Sequence, residues 1–362
     1  MIGGSISFLY PLKNYIYLPI IVLTSWVSFS QDPPSFVFKK NNIKCIDSAF
    51  DESEFLVFNG EITLQEAKSS APIIGQLYRD GEIHYFEPIV PFAYEKKYSL
   101  AYKDSIVYFK IETPKDYQFL SVNAIYPRAT ELPANILKFH VQFSRPINLA
   151  NVYDHIYFIS SRGIIVDRAI LPLENVLISA DGTLLTLWIE PGRQKRGLSP
   201  NEELGQVFSP GESYTLVVSN RLKDQNGINM QNPFSHQFRV MKPDREKPKI
   251  ASWEITAPLA NTTSDLVINT GKALDFMSAT QKVTVYDSQE NLVYGQWDLT
   301  NGDQQLIFKP NKKWVKGTFS LLFDERLDDL AGNNLLQVFD NEISTKSEQA
   351  NYEEFKLSFV VK

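Results

Sequence analysis

At 362 residues, with 43% hydrophobic and 22% charged side chains, the chain has a globular composition and room for two or three separately cored domains. A formal net charge of −6 argues against general binding to nucleic acid or to anionic lipid. In chain order, residues 15–29, YIYLPIIVLTSWVSF, form an apolar run behind Lys13. Ser28-Phe29-Ser30 then supplies small residues where a signal peptidase needs them, so residues 1–30 are expected to be a cleaved signal peptide. The alternative is a retained anchor, but the run is short for a hydrocarbon core of about 30 Å and contains Pro19. No later segment could span a bilayer, and the protein is expected in the periplasm, on the cell surface or outside the cell. Cys45 is the only cysteine, which rules out an internal disulfide, so stability must come from packed cores.

Two strands recur three times. HYFEP (84–88), LWIEP (187–191) and LIFKP (306–310) each end in proline, which cannot donate to a sheet ladder and so closes a strand. Each is followed by a segment with an apolar residue at every second position: YSLAYKD (98–104), YTLVVSN (214–220) and FSLLFDE (319–325). Period-two alternation marks half-buried strands. Between the first two copies, Leu137, Phe139, Val141 and Phe143 alternate with Lys138, His140 and Gln142, which predicts one more strand with a core face and a solvent face. Three β domains follow: residues 31–113, divergent in pattern, then 114–241 and 242–362. Polar, proline-bearing segments at 112–115 and 242–249 read as stiff linkers. Long amphipathic helices are absent, so the expected fold class is all-β, three tandem β-sandwiches.

The connection between the paired strands spans ten positions in the first domain and nine in the third, but 23 in the second. The extra residues lie in Gly192–Ser213, GRQKRGLSPNEELGQVFSPGES. Loops usually carry the function of a sandwich, because the scaffold residues are committed to the core. Ser199-Pro200-Asn201-Glu202 predicts a capping box and a short helix. Arg193, Lys195 and Arg196 form a cationic cluster suited to a carboxylate, phosphate or sulfated glycan. Leu187 and Ile189 take the buried positions of the preceding strand, which turns Trp188 to the opposite face beside the cations, where it can stack on a sugar or a partner side chain. Glu202 and Glu203 complete the candidate binding residues. In the opposing reading, Trp188 packs under the insertion and the cations pair with Glu190, Glu202 and Glu203.

RLKDQNGINM (221–230) is written again as RLDDLAGNNL (326–335). Asp224 with Gly227, and Asp329 with Gly332 and Asn333, predict chain-reversing turns in which the aspartate accepts backbone N–H bonds and glycine takes the left-handed conformation. Calcium coordination is the alternative, but Lys223 stands where the second copy has Asp328, and a metal loop does not exchange a ligand for a cation.

YPRATELPANILKFHVQFSRPI (126–147) resembles the opening of the bacterial Ig-like domains found in surface-layer and other envelope proteins, with their strand end Phe-Ser-x-Pro at Phe143-Ser144-Arg145-Pro146. Their closing Asp-x-x-Gly-Asn is matched fully by Asp329–Asn333 and, apart from Ile228, by Asp224–Gly227. The resemblance is best in the second domain, partial in the third and weak in the first. It implies an Ig-like sandwich and a non-catalytic binding or scaffolding component of a bacterial envelope, whose partner is an envelope protein or a glycan. A glycan-binding accessory protein is the runner-up and a hydrolase with an unrecognised site the third possibility. No nucleophile elbow, phosphate loop, dinucleotide fingerprint or zinc-protease helix occurs, and no catalytic residue, metal ligand or cofactor is expected.

Overall fold

The computed structural model describes residues 33–340 and 355–362, so the expected signal peptide lies outside the described residues. The protein is all-β and its described residues fall into two compact units, 33–92 with 97–109, and 93–96 with 110–340 and 355–362. No helix among the described residues is long and apolar enough to cross a membrane.

The first unit has seven strands and one short helix: β1 (Ser35–Phe38), β2 (Ile43–Ile46), β3 (Phe55–Asn59), α1 (Leu64–Ala67), β4 (Gly75–Asp80), β5 (Ile83–Pro88), β6 (Lys97–Tyr102) and β7 (Ser105–Lys110). They form one sheet in the order β1-β2-β5-β4 and another in the order β3-β6-β7. Lettered A to G, these are the ABED and CFG sheets of a constant-type immunoglobulin sandwich. The pattern that looks divergent in sequence therefore folds with the full strand complement. Its core is aromatic: Phe38 stacks on Phe109 at 4.1 Å and Phe50 on His84 at 4.0 Å. Cys45 lies in this core, where burial pushes its thiol up to about 11 and leaves it a small apolar side chain.

The second unit contains two further sandwiches. In one, β8 (Val122–Tyr126), β10 (Lys138–Phe143) and β12 (Leu184–Trp188) form a sheet in the order β12-β10-β8. Facing it, β9 (Glu131–Pro133), β11 (Ile156–Ser160), β13 (Ser213–Val218) and β14 (Phe234–Met241) form a sheet in the order β11-β13-β14-β9. The first strand is split, with β9 crossing over to pair parallel with β14. The other sandwich repeats the first unit's plan. Its sheets are β15 (Glu254–Thr256), β16 (Leu266–Asn269), β19 (Gln305–Pro310) and β18 (Gly295–Thr300), and β17 (Val283–Tyr286), β20 (Gly317–Phe323) and β21 (Lys356–Val361). The predicted alternation holds on its core side: Phe139, Val141, Leu216, Val218, Leu321 and Phe323 are all buried.

One expectation is corrected. His140, on the face of β10 expected to meet solvent, is 1% exposed because the following sandwich covers it. Residues 242–249, expected to form a stiff linker, are pinned at Asp244 to both neighbouring sandwiches. The Asn135 side chain donates to Asp244 O at 2.7 Å and accepts from Asp244 N at 2.8 Å, while Lys272 Nζ reaches the Asp244 carboxylate at 2.8 Å.

Candidate functional site

The insertion in the second sandwich folds as two short helices, α2 (Pro191–Gln194) and α3 (Ser199–Leu204). The predicted capping box does not form: the N-cap is Leu198, so Ser199 falls inside the helix and its hydroxyl bonds Glu203 rather than a backbone amide. The Glu190 side chain caps α2 instead, accepting from Gly192 N at 3.2 Å.

Arg193 is not a surface cation. It is 7% exposed, and its guanidinium donates to the carbonyls of Asp167, Leu204, Gly205 and Gln206 at 2.7–3.2 Å. A planar fork with five donors suits this role, drawing a loop closed around one buried charge. Four of its five donors are held by these carbonyls, and burial lowers the pKa of the group. Gln194 is fully buried and donates to Ile136 O. Val207 and Phe208 enter the core, Phe208 making edge contacts with Phe158, Tyr214 and Phe238. The insertion is thus part of the sandwich and not an appended arm.

The remaining candidates are distributed differently. Arg196 donates to Asp340 from both its backbone N–H and its Nε, at 3.2 and 2.7 Å. Lys195 Nζ lies 5.9 Å from the Phe339 ring centroid. Trp188 faces away from the core as expected but is half-buried, with Lys138 Nζ 5.1 Å from its ring centroid, so it is no open platform. Glu202 and Glu203 are exposed on α3.

The repeated turns share one geometry. Asp224 Oδ1 accepts from the amides of Asn226 and Ile228 at 2.9 and 3.0 Å, and Asp329 Oδ1 from those of Ala331 and Asn333 at 2.8 and 2.9 Å. Gly227 and Gly332 have φ of +81° and +76°. Both aspartates are buried, and the second oxygen of each reaches a different segment. Asp224 Oδ2 accepts from the Tyr117 hydroxyl and from Arg145 at 3.4 Å. Asp329 Oδ2 accepts from Lys272 at 2.7 Å and from Asn333 Nδ2 at 2.9 Å. All four carboxylate oxygens therefore face N–H or O–H donors, which is the chemistry of an anchored turn. Burial nevertheless raises the Asp329 carboxyl to about 6 against the pull of Lys272 and Asn333.

A further polar constellation among the described residues of the second unit lies at the junction of its two sandwiches. His140 Nε2 lies 2.8 Å from Asp275 Oδ2, and its Nδ1 lies 2.9 Å from Thr186 Oγ1. Asp275 also caps α4 (Phe276–Gln281) by accepting from Ser278 N. Lys138 reaches Asp328 at 3.0 Å and Asp275 at 3.8 Å. Asp303 accepts from the amides of Arg128 and Ala129 at 2.5 and 3.3 Å, and Asp340 pairs with Arg245 as well as Arg196. Around these charges, Phe276 stacks on Tyr126 at 3.7 Å and Leu137 donates its N–H to Leu330 O at 2.9 Å. Both ring nitrogens of His140 are occupied and its side chain is 2% exposed, so the His–Asp pair is closed to a substrate.

No protein-family model matches the chain, and no curated protein does. Solved structures similar to it include domains MG0-NIE-MG1 of Escherichia coli alpha-2-macroglobulin, at 9% identity over 67% of this chain and 72% of that one, with a TM-score of 0.23. The N-terminal part of the bacterial S-layer protein SbsC aligns at 15% identity over 57% of this chain and 41% of that one, TM-score 0.24. The FN1-FN3 domains of chicken CNTN1 align at 8% identity over 91% and 99%, TM-score 0.19. Ig- and fibronectin-like domains thus figure among the structures it is similar to, at low identity.

Proposed function

We propose that the protein is an exported, non-catalytic binding or scaffolding component of a bacterial envelope, built of three Ig-like sandwiches over residues 31–113, 114–241 and 242–362. The observation that carries this reading is the junction between the second and third sandwiches. Its paired cations and carboxylates join two domains into one body, which suits a protein that holds partners at a fixed spacing. The apolar-then-small pattern of residues 1–30 supports export. The remainder of the insertion, half-buried Lys195 with exposed Glu202 and Glu203 on α3, is retained as a proposed contact surface; Arg193 is not. Trp188 is retained only as a partly covered neighbour of Lys138.

The test is in-cell crosslinking of the tagged protein in a native host, with mass spectrometry of crosslinked peptides and N-terminal sequencing of the purified chain. A mature chain beginning near Gln31, with crosslinks from Lys195 to another envelope component, is the expected result. A cytoplasmic chain retaining Met1, or turnover of an envelope substrate by the purified protein, would overturn it. A glycan array read beside it addresses the runner-up, for which the stacked pair Tyr78 and Tyr85, 5.2 Å between centroids on the outer face of the first unit's sheet, is the favouring observation.

A further inference from the structure

The junction between the second and third sandwiches follows a rule of charge. Each sandwich has a leading end, where its first strand begins, and a trailing end, where its last strand finishes. At the junction the trailing end of the second sandwich supplies cations, Lys138 on β10 and Arg196 in the insertion. The leading end of the third supplies carboxylates: Asp275 between β16 and β17, and Asp328 and Asp340 after β20. Apolar contact fills the space between them, as in the Tyr126–Phe276 stack.

The same polarity appears on two surfaces that have no such partner. The trailing end of the third sandwich consists of the β15–β16, β17–β18 and β19–β20 connections. It exposes Leu259, Tyr294 and Val315 at 67, 69 and 63%. Lys312, Lys313 and Lys316 are exposed beside them and make no ion pair among the described residues. Tyr294, Val315, Lys312 and Lys313 line a cleft of about 450 Å³. Asp287 also lines it, but its carboxylate is held by the amides of Gln289 and Asn291 and by the Asn291 side chain.

The leading end of the first sandwich is the complement. Asp51, Glu52 and Glu54 in the β2–β3 connection, Asp80 and Glu82 at the β4–β5 turn, and Asp104 at the β6–β7 turn are all exposed. None makes an ion pair among the described residues; the Asp51 carboxylate accepts from the amide and hydroxyl of Ser53. Two cations lie close by. Lys103 is taken by the buried Asp47 at 2.8 Å, and Arg79 donates to Gly81 O. Ile46 and Leu56, 45 and 38% exposed, flank the carboxylates at the same end and offer apolar surface.

We propose that the trailing end of the third sandwich docks on the leading end of the first sandwich of a second copy of this chain, giving head-to-tail association that imitates the internal junction. Patches that differ on the two subunits make a heterologous contact, and such contacts propagate into open chains unless the rotation closes. Surfaces of exposed charge give an association that salt weakens, because the screening length falls from tens of ångströms at low salt to a few at high salt. The inference stands apart from the envelope reading: a chain that associates with itself need bind nothing else, and one that does not can still bind a partner.

Sedimentation velocity of the chain without residues 1–30 tests this, over a concentration series at about 20 mM and about 500 mM sodium chloride. The expected result is concentration-dependent association at low salt that is lost at high salt. A triple variant, Lys312→Glu with Lys313→Glu and Lys316→Glu, and a second, Glu52→Lys with Glu54→Lys and Glu82→Lys, should each associate at least about tenfold more weakly alone. Mixing the two variants should restore association, because each then presents the charge the other lacks. Unchanged thermal midpoints establish that both variants are folded. A wild-type chain that stays monomeric at low salt overturns the proposal, even if it binds an added acidic protein or anionic glycan. Association that survives the lysine reversal, or variants that fail to restore it when mixed, overturns it equally.

Discussion

His140 Nε2 and Asp275 Oδ2 lie 2.8 Å apart across the boundary between two sandwiches, each side chain almost wholly buried. Burial alone would raise the Asp275 carboxyl; His140, Lys138 and the Ser278 amide outweigh it and hold the group at about 2. Its folded pKa therefore lies below the unfolded value near 3.8. Ionised Asp275 thus contributes in full above about pH 4, and the contribution is lost as pH falls from about 4 to 2. A shift of this size corresponds to about 2 kcal/mol. Wild-type protein should lose stability steeply in that window, and Asp275→Asn should flatten this acid limb while lowering stability at pH 7 by about 3 kcal/mol, because His140 and Lys138 keep only a neutral partner. Chemical denaturation at a series of pH values measures both. An acid limb unchanged in the variant would show that Asp275 does not carry it.

Asp329 moves the other way. Its carboxyl is raised to about 6, above the unfolded value of 3.8, so the folded state binds its proton more tightly and the ionised form is relatively disfavoured. Its contribution to stability is largest below about pH 4 and declines as pH rises from about 4 to 6. Asp329→Asn should remove that decline, and the difference between variant and wild-type stability should vary across pH 4 to 6 and be flat above pH 7. Equal pH profiles for the two proteins across that window would refute the assignment.

The two turn glycines should differ in their cost of replacement. Both need the left-handed conformation, so alanine or valine at either position costs about 1–3 kcal/mol in backbone strain. A Cβ on Gly227 meets nothing within 4 Å, whereas one on Gly332 would overlap Cδ1 of the buried Leu137 in the preceding sandwich. Gly332→Ala should therefore destabilise more than Gly227→Ala, by about 1 kcal/mol or more from overpacking. Equal losses in urea denaturation would mean that Leu137 yields freely.

Within the insertion, substitutions should divide by burial and not by charge. Phe208→Ala should cost about 3–5 kcal/mol as a large-to-small change in a filled core. Arg193→Met should cost about 2–4 kcal/mol, since four carbonyls lose a charged donor. Glu202→Lys with Glu203→Lys should change stability by less than about 0.5 kcal/mol, both side chains being exposed. Replacing Gly192–Ser213 with the short connection of the third sandwich should leave the second one unfolded, since it removes Phe208 and Arg193 together. A folded deletion variant would show the insertion to be a removable arm.

What was legible in the sequence was the part governed by local rules. Alternation marked the core faces of β10, β13 and β20, and proline marked the ends of β5 and β19, because strand period and the missing N–H act within a few residues. The seven strands of the first unit were not countable, since β1 and β2 have only four residues each. One signal was present and unused: Gly75-Gln76 and Gly295-Gln296 open β4 and β18 opposite the strand-ending Pro88 and Pro310, where a Cβ would strike the ring of Phe86 or Phe308. The junction was invisible because Lys138 and Asp328, or His140 and Asp275, meet only after both sandwiches have folded. The sequence shows that Arg193 is charged but not that four carbonyls surround it; the apolar pair Val207-Phe208 inside a polar insertion was the available hint that the loop turns inward.

Unfolding of the second unit should be cooperative across its two sandwiches. Independent sandwiches joined by a linker would melt separately, each with its own midpoint. Here Leu330 belongs to the core cluster of the second sandwich, and Leu137 N–H bonds to it directly. At the junction Asp275 and Asp303 are buried and Asp328 is half-buried, and Asp275 and Asp328 pair with His140 and Lys138 of the preceding sandwich. Separating the two folded sandwiches therefore breaks several partly desolvated charge pairs and exposes the apolar contact between them at once, which couples their unfolding. Scanning calorimetry of residues 114–362 should give one transition, with calorimetric and van't Hoff enthalpies agreeing. Replacing His140 and Lys138 together by alanine should split it into two, with the midpoints of both moving down. Two resolved transitions in the wild-type fragment would show that the junction is too weak to couple the sandwiches, whatever its hydrogen bonds.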